Sequence, residues 1–208
     1  MSEYFIPASA GEASYVEKRS EFLGHVRMVE TEDEAKSFIA EMKKKYYDAR
    51  HNCWCYIIKD GAVRYSDDSE PQGTAGIPML EVFKREGIEN VVCVVTRYFG
   101  GVLLGAGGLL RAYTKSAKDA LDAAGVAVVR RWVKLDIPCA YSLLERIKIE
   151  CAASDGVLQD TEYGASVTLK VLIPEEKAEA FSARITDMTA GSCKAVITGE
   201  EFMPVRIK

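Results

Sequence analysis

Val91-Val-Cys-Val-Val-Thr-Arg-Tyr-Phe-Gly100-Gly-Val-Leu-Leu-Gly-Ala-Gly-Gly-Leu-Leu-Arg-Ala-Tyr113 reads as strand, glycine-rich loop and helix in immediate succession. The unbroken apolar run that closes in Thr96 and Arg97 suits a strand buried on both faces. Five glycines follow within nine positions, at 100, 101, 105, 107 and 108. A loop so poor in side chains either takes positive φ repeatedly or lets something approach its backbone. The helix behind it offers unpaired N–H groups and a positive dipole end, so an anion is the guest this pattern predicts. Arg97 before the loop and Arg111 after it favour phosphate. The spacing matches neither nucleotide-binding glycine motif: no lysine follows for a P-loop, and Gly105-Ala-Gly-Gly108 runs into Leu109 and Leu110. A tight strand-to-helix connection, with the glycines only permitting close packing, is the plainer alternative and stays open.

The chain has 208 residues, 48% of them hydrophobic and 28% charged, which is globular material sufficient for one large or two small domains. A net charge of -4 argues against a protein coated for nucleic acid, so a polyanion contact has to be a local patch. The six cysteines form no Cys-x-x-Cys pair, and Cys53 and Cys55 share one face of an expected strand, where reduced cysteine is a small core residue. With no apolar run of spanning length and no leader pattern, a cytoplasmic protein without membrane contact is expected.

Thr31-Glu-Asp-Glu34 is a capping box, and Ala35, Phe38, Ile39, Met42 and Tyr46 fall on one helical face behind it. Lys43, Lys44 and Lys45 suit the end of that helix. Residues 53–58 and 63–65 form a hairpin across Asp60-Gly61, and a second helix is predicted from about Ile77 and Pro78. The helix after the glycine loop ends at Gly125, with Arg111, Lys115 and Lys118 on its exposed side. From Trp132 the pattern changes. A strand is followed by a helix capped by Ser142 and Glu145, two strands about Tyr163-Gly164, a helix opened by Pro174, and a strand over 193–198. Strand, helix, strand, strand, helix, strand is the ferredoxin-like plan, which sets the expected domains at 1–131 and 132–208.

Between the hairpin and the second helix, Ser66 to Gly76 carries three carboxylates in four positions, Asp67, Asp68 and Glu70, with Gly73 and Thr74 behind them. Asp67 and Asp68, with Glu70, holding Mg²⁺ against a phosphate gripped by the glycine loop and Arg97 would make a hydrolytic or transferase site. Without a metal the carboxylates would repel that phosphate, and the loop would face a cation or cap the neighbouring helix. His51, beside Arg50, suits either acid–base work or a structural hydrogen bond. Only two histidines are present, and no Ser/His/Asp or Cys/His constellation can be assembled.

Asp48-Ala-Arg-His-Asn-Cys53, the Ser66–Gly76 loop and Arg97–Tyr113 together closely resemble the IMPACT family in its bacterial form. The resemblance extends over the whole chain. A weaker correspondence is Lys18-Arg-Ser-Glu-Phe22, where Glu21 stands in a place that is often basic; Ser69 replaces a frequent glycine. The resemblance implies an α+β protein whose first domain is like the second domain of ribosomal protein S-five, and whose ferredoxin-like second domain is like the C-terminal domain of elongation factor G. It also implies a role in translation, since eukaryotic members regulate translation through a protein partner. The expected function is therefore a non-enzymatic regulator that binds RNA or a ribosomal surface. Its expected cleft comprises Arg97, Tyr98, Gly100, Gly101, Gly105, Gly107, Gly108 and Arg111, with Arg50 and His51 nearby and Tyr98 stacking on a base. The alternatives are a Mg²⁺-dependent enzyme acting on a nucleotide or phosphorylated small molecule, and a protein-interaction module without nucleic acid.

Overall fold

The computed structural model describes residues 3–207, and the chain divides into two compact units. The first runs from Tyr4 to Val128 and is joined by the C-terminal residues from Pro204; the second comprises Val129–Met203 with Glu3. The division falls inside a strand, so no linker marks it in the sequence.

The first unit contains β1 (Tyr4–Pro7), β2 (Gly11–Glu17), β3 (Ser20–Met28), α1 (Glu32–Lys45), β4 (His51–Ile57), β5 (Val63–Ser66), α2 (Gly76–Arg85), β6 (Val91–Tyr98) and α3 (Gly105–Ala124). Its main sheet has the order β2-β3-β6-β4-β5 and is antiparallel throughout. β6 is central. Val91, Cys93 and Val95 point into the core beneath α2 and α3, whereas Val92 and Val94 point into a separate cluster under α1. This alternation is why the strand reads as continuously apolar, and every residue from Val91 to Arg97 is buried.

The α1 capping box is present, with the Thr31 hydroxyl accepting from the Glu34 N–H and the Glu34 carboxylate accepting from the Thr31 N–H. α3 lies directly on β2 and β3 because both surfaces are small. Ser116, Ala120 and Ala124 face Gly11 and Gly24, and a Cβ at Gly24 would stand 2.5 Å from the Ser116 carbonyl oxygen. The β2–β3 hairpin carried no turn signal in the sequence. Its two turn residues, Lys18 and Arg19, both take positive φ (44° and 69°), where asparagine and glycine are usual.

β7 (Val126–Cys139) leads into the second unit, followed by α4 (Leu144–Ala153), β8 (Val157–Tyr163), β9 (Val167–Pro174), α5 (Glu175–Met188) and β10 (Val196–Arg206). Its strands lie in the order β10-β7-β9-β8, over a core that includes Leu135, Ile137, Ile147, Leu169, Val171, Phe181 and Ile185. Two expectations are corrected. Ser142 does not cap α4, because Tyr141–Leu143 forms a 3-10 turn that runs into the helix. The last strand starts later and extends further than 193–198. All six cysteines are free and buried, and among the described residues no helix is long and apolar enough to cross a membrane.

Candidate functional site

The core rows of β6 and β4 end in polar residues. By alternation Arg97 continues the row Val91, Cys93, Val95, and His51 continues the row Cys55, Cys53; Arg97 is paired in register with His51 on one side and Phe22 on the other. Where these rows run out from under α2 and α3, a cleft of ≈ 300 Å³ opens. Ser69, Glu70 and Pro71 line one wall, Phe99 and Leu103 to Ala106 another, and Arg50, His51, Arg97 and Leu109 complete it. The acidic loop and the glycine loop therefore meet.

Arg97 is not a free cation. It is only 5% exposed, and its Nη1 donates to Glu70 Oε1 at 2.6 Å. Tyr113 donates its hydroxyl proton to the same oxygen at 2.8 Å, and burial pushes the Tyr113 phenol far above its usual range. Arg97 Nη2 donates to Ser20 Oγ, which also accepts from the Gly100 N–H. The Phe22 and Phe99 rings flank the guanidinium at 5.4 and 5.7 Å. Beneath this network Cys53 Sγ donates to the Asp67 carbonyl, and burial pushes its thiol up.

The other carboxylates of the acidic loop are also directed inward. Asp67 Oδ1 accepts from the N–H groups of Ala75 and Gly76, and Oδ2 accepts from Gly73, which caps α2 from outside the helix. Asp68 accepts from the Asn52 N–H at 2.7 Å and from Lys43 Nζ at 2.8 Å. Thr74 closes a turn by donating to the Pro71 carbonyl. Asp67 and Asp68, the pair expected to hold Mg²⁺, use their oxygens to hold the loop, and among the described residues no three His, Cys, Asp or Glu side chains come together to hold a metal.

The glycine loop has several roles. Gly100 permits close packing, since a Cβ there would lie 2.0 Å from the Arg19 carbonyl carbon. Gly101 and Gly105 take φ of 82° and 69°, and Gly107 and Gly108 lie within α3. That helix starts without a side-chain cap and without an acidic residue in its first turn, so its leading N–H groups have no partner in the helix. Gly105 and Ala106 bring this end to the cleft, and Arg50 stands exposed with its guanidinium 5.8 Å from the Phe99 ring centre.

Tyr98 and Arg111 do not line the cleft. Tyr98 follows Arg97 and so faces the opposite side of the sheet, where its hydroxyl donates to Asp48 and that bond pushes its pKa up to about 12. Arg111 is exposed on α3, close enough to Tyr15 for its charge to be felt there. Lys115 pairs with Asp119, and Lys118 with Glu86 and Asp122, which leaves a solvated helix face. Phe99 and Leu103 were not anticipated as lining residues. The period-two alternation that removes Tyr98 is the signal that would have found Phe99.

The Impact N-terminal domain matches residues 18–121, which include every residue lining the cleft, and a domain of unknown function (DUF1949) matches residues 137–192. The IMPACT family member YvyE of Bacillus subtilis is 39% identical over 92% of this chain and 89% of its own length. YigZ of Escherichia coli is 32% identical over 96% of this chain and its whole length. Protein IMPACT of the rat is 33% identical over 48% of this chain and 33% of its own length. A crystal structure described as that of a hypothetical protein superposes with a TM-score of 0.60 at 32% identity, covering 96% of this chain and 98% of the other. With the first-unit cleft inside one matched domain and near full-length relatives in two bacteria, the chain belongs to the IMPACT family.

Proposed function

We propose that the cleft binds phosphate and that through it the protein engages RNA or a ribosomal surface, as a cytoplasmic regulator associated with translation. The observation that carries this reading is the uncapped, glycine-rich start of α3 opening onto a cleft beside exposed Arg50. Backbone N–H groups and a positive dipole end favour an anion, and arginine adds a bidentate partner. Glu70 does not oppose that anion with a free charge, because Arg97 neutralises it from within.

The element order of the second unit supports a ferredoxin-like domain similar to the C-terminal domain of elongation factor G, beside a first unit like the second domain of ribosomal protein S-five. Free, buried cysteines fit a reducing compartment. The Mg²⁺-dependent alternative loses support because its ligands are engaged elsewhere.

The test is co-sedimentation with ribosomes and binding of naked RNA across a salt series, for wild type and Arg50→Ala. Affinity should fall with salt, and Arg50→Ala should weaken binding and reduce the logarithmic salt slope by about 1. Identical affinities and slopes for the two proteins would overturn the site.

A further inference from the structure

His51 holds a position that phosphate binding does not use. Its Nδ1 lies 2.9 Å from the Asp68 carbonyl oxygen. A carbonyl only accepts, so Nδ1 carries a proton in every charge state of the ring. In the neutral ring the nitrogen that carries the lone pair is therefore Nε2. His51 lines the cleft while only 8% exposed. Glu70 Oε1 stands 3.9 Å from Nε2, beyond hydrogen-bond reach, and already accepts from Arg97 and Tyr113. The neutral ring thus offers the cleft a lone pair with no donor on it.

The groups that suit phosphate oxygens, Arg50 and the leading N–H groups of α3, are donors. A ligand that completes both sets carries an anionic phosphate and, a few bonds away, a hydroxyl proton. A ribonucleotide has this arrangement, because its 2′-hydroxyl neighbours the 3′-phosphate; a deoxyribonucleotide lacks the donor. The cleft volume, ≈ 300 Å³, is at the small end for ligand sites and suits one sugar-phosphate unit rather than a duplex. Phe99, Leu103 and Leu109 supply the apolar wall for the sugar. Resting on the phosphate reading of this cleft, we propose that His51 Nε2 accepts a hydrogen bond from a ribose 2′-hydroxyl, so that the site selects RNA over DNA.

The experiment compares a short, mixed-sequence, single-stranded oligoribonucleotide with its 2′-fluoro counterpart, by fluorescence anisotropy at low salt. Fluorine preserves the sugar pucker and removes the donor. Wild type should bind the ribo probe about fivefold more tightly, the scale of one neutral hydrogen bond. His51→Phe should abolish that ratio, so that the two probes bind it equally. Equal binding of the two probes by wild type, or a ratio that persists in His51→Phe, overturns the assignment. Should His51→Phe not fold, the wild-type comparison decides alone. Salt-sensitive but equal binding sinks only the hydroxyl contact, whereas no binding of either probe sinks the phosphate reading with it.

Discussion

At the cleft, the Ser66–Gly76 loop turns its carboxylates inward, onto four backbone N–H groups (Asn52, Gly73, Ala75 and Gly76) and the side chains of Lys43, Tyr113 and Arg97, while the start of α3 carries no side-chain cap on its N–H groups. In sequence the first loop is the charged one and the second is nearly featureless. In the folded protein the charged loop is scaffold, and the featureless one presents the polar surface. Residue charge alone does not locate a binding site; what matters is whether each charge already has a partner. Buried carboxylates with good partners hold a loop, and unpartnered backbone donors at a helix start are what a ligand can still use.

That contrast breaks most visibly at Glu70. Glu70→Ala leaves the Arg97 guanidinium buried and unpaired and removes the acceptor of Tyr113, so urea unfolding should show a loss of about 3–5 kcal/mol. A loss under about 1 kcal/mol would place the pair among weak, solvated bridges and remove the scaffold role. Next in size is Asp67→Ala, which strips the cap from α2 and should cost about 2–3 kcal/mol in the same measurement. Asp67→Asn should cost less, because its single carbonyl oxygen still accepts.

The smallest effect separates the two histidines. His25 is buried away from the cleft beside Tyr46, and burial lowers its pKa from 6.5 despite Glu12 at 3.4 Å, with Lys45 lowering it further. The unfolded chain therefore takes up a proton near pH 6.5 while the folded protein does so only at lower pH. Stability contributed by neutral His25 is present above 6.5 and lost as pH falls below it. Thermal melts from neutral to mildly acid pH should show that decline, and His25→Gln should flatten it; an unchanged profile would place the decline elsewhere.

How much was legible follows from where each signal is local. The α1 capping box, the Asp60-Gly61 turn, the Gly125 helix end and the twofold burial of β6 all depend on neighbours in sequence and are found as read. The β2–β3 hairpin was missed because Lys18 and Arg19 adopt positive φ without the residues that advertise it. The cleft was legible in part. Gly105 and its helix start, Arg50, His51 and Arg97 were read from sequence and stand together. The engagement of Asp67, Asp68 and Glu70 was not, since it depends on partners distant in the chain, such as Asn52, Gly76 and Arg97. Ser69 takes φ of 70°, a conformation that glycine adopts at less cost and that the sequence does not advertise.

The most direct test of the phosphate cleft is Ala106→Asp, assayed in parallel for stability and for RNA binding. An aspartate in the first turn of α3 suits the helix dipole, so the free energy of unfolding should hold or rise slightly, by about 0.3–1 kcal/mol. The same charge at the cleft should repel phosphate and lower RNA affinity roughly tenfold, about 1.4 kcal/mol. A stable Ala106→Asp protein that binds RNA as wild type does would contradict the assignment of this helix start as the site.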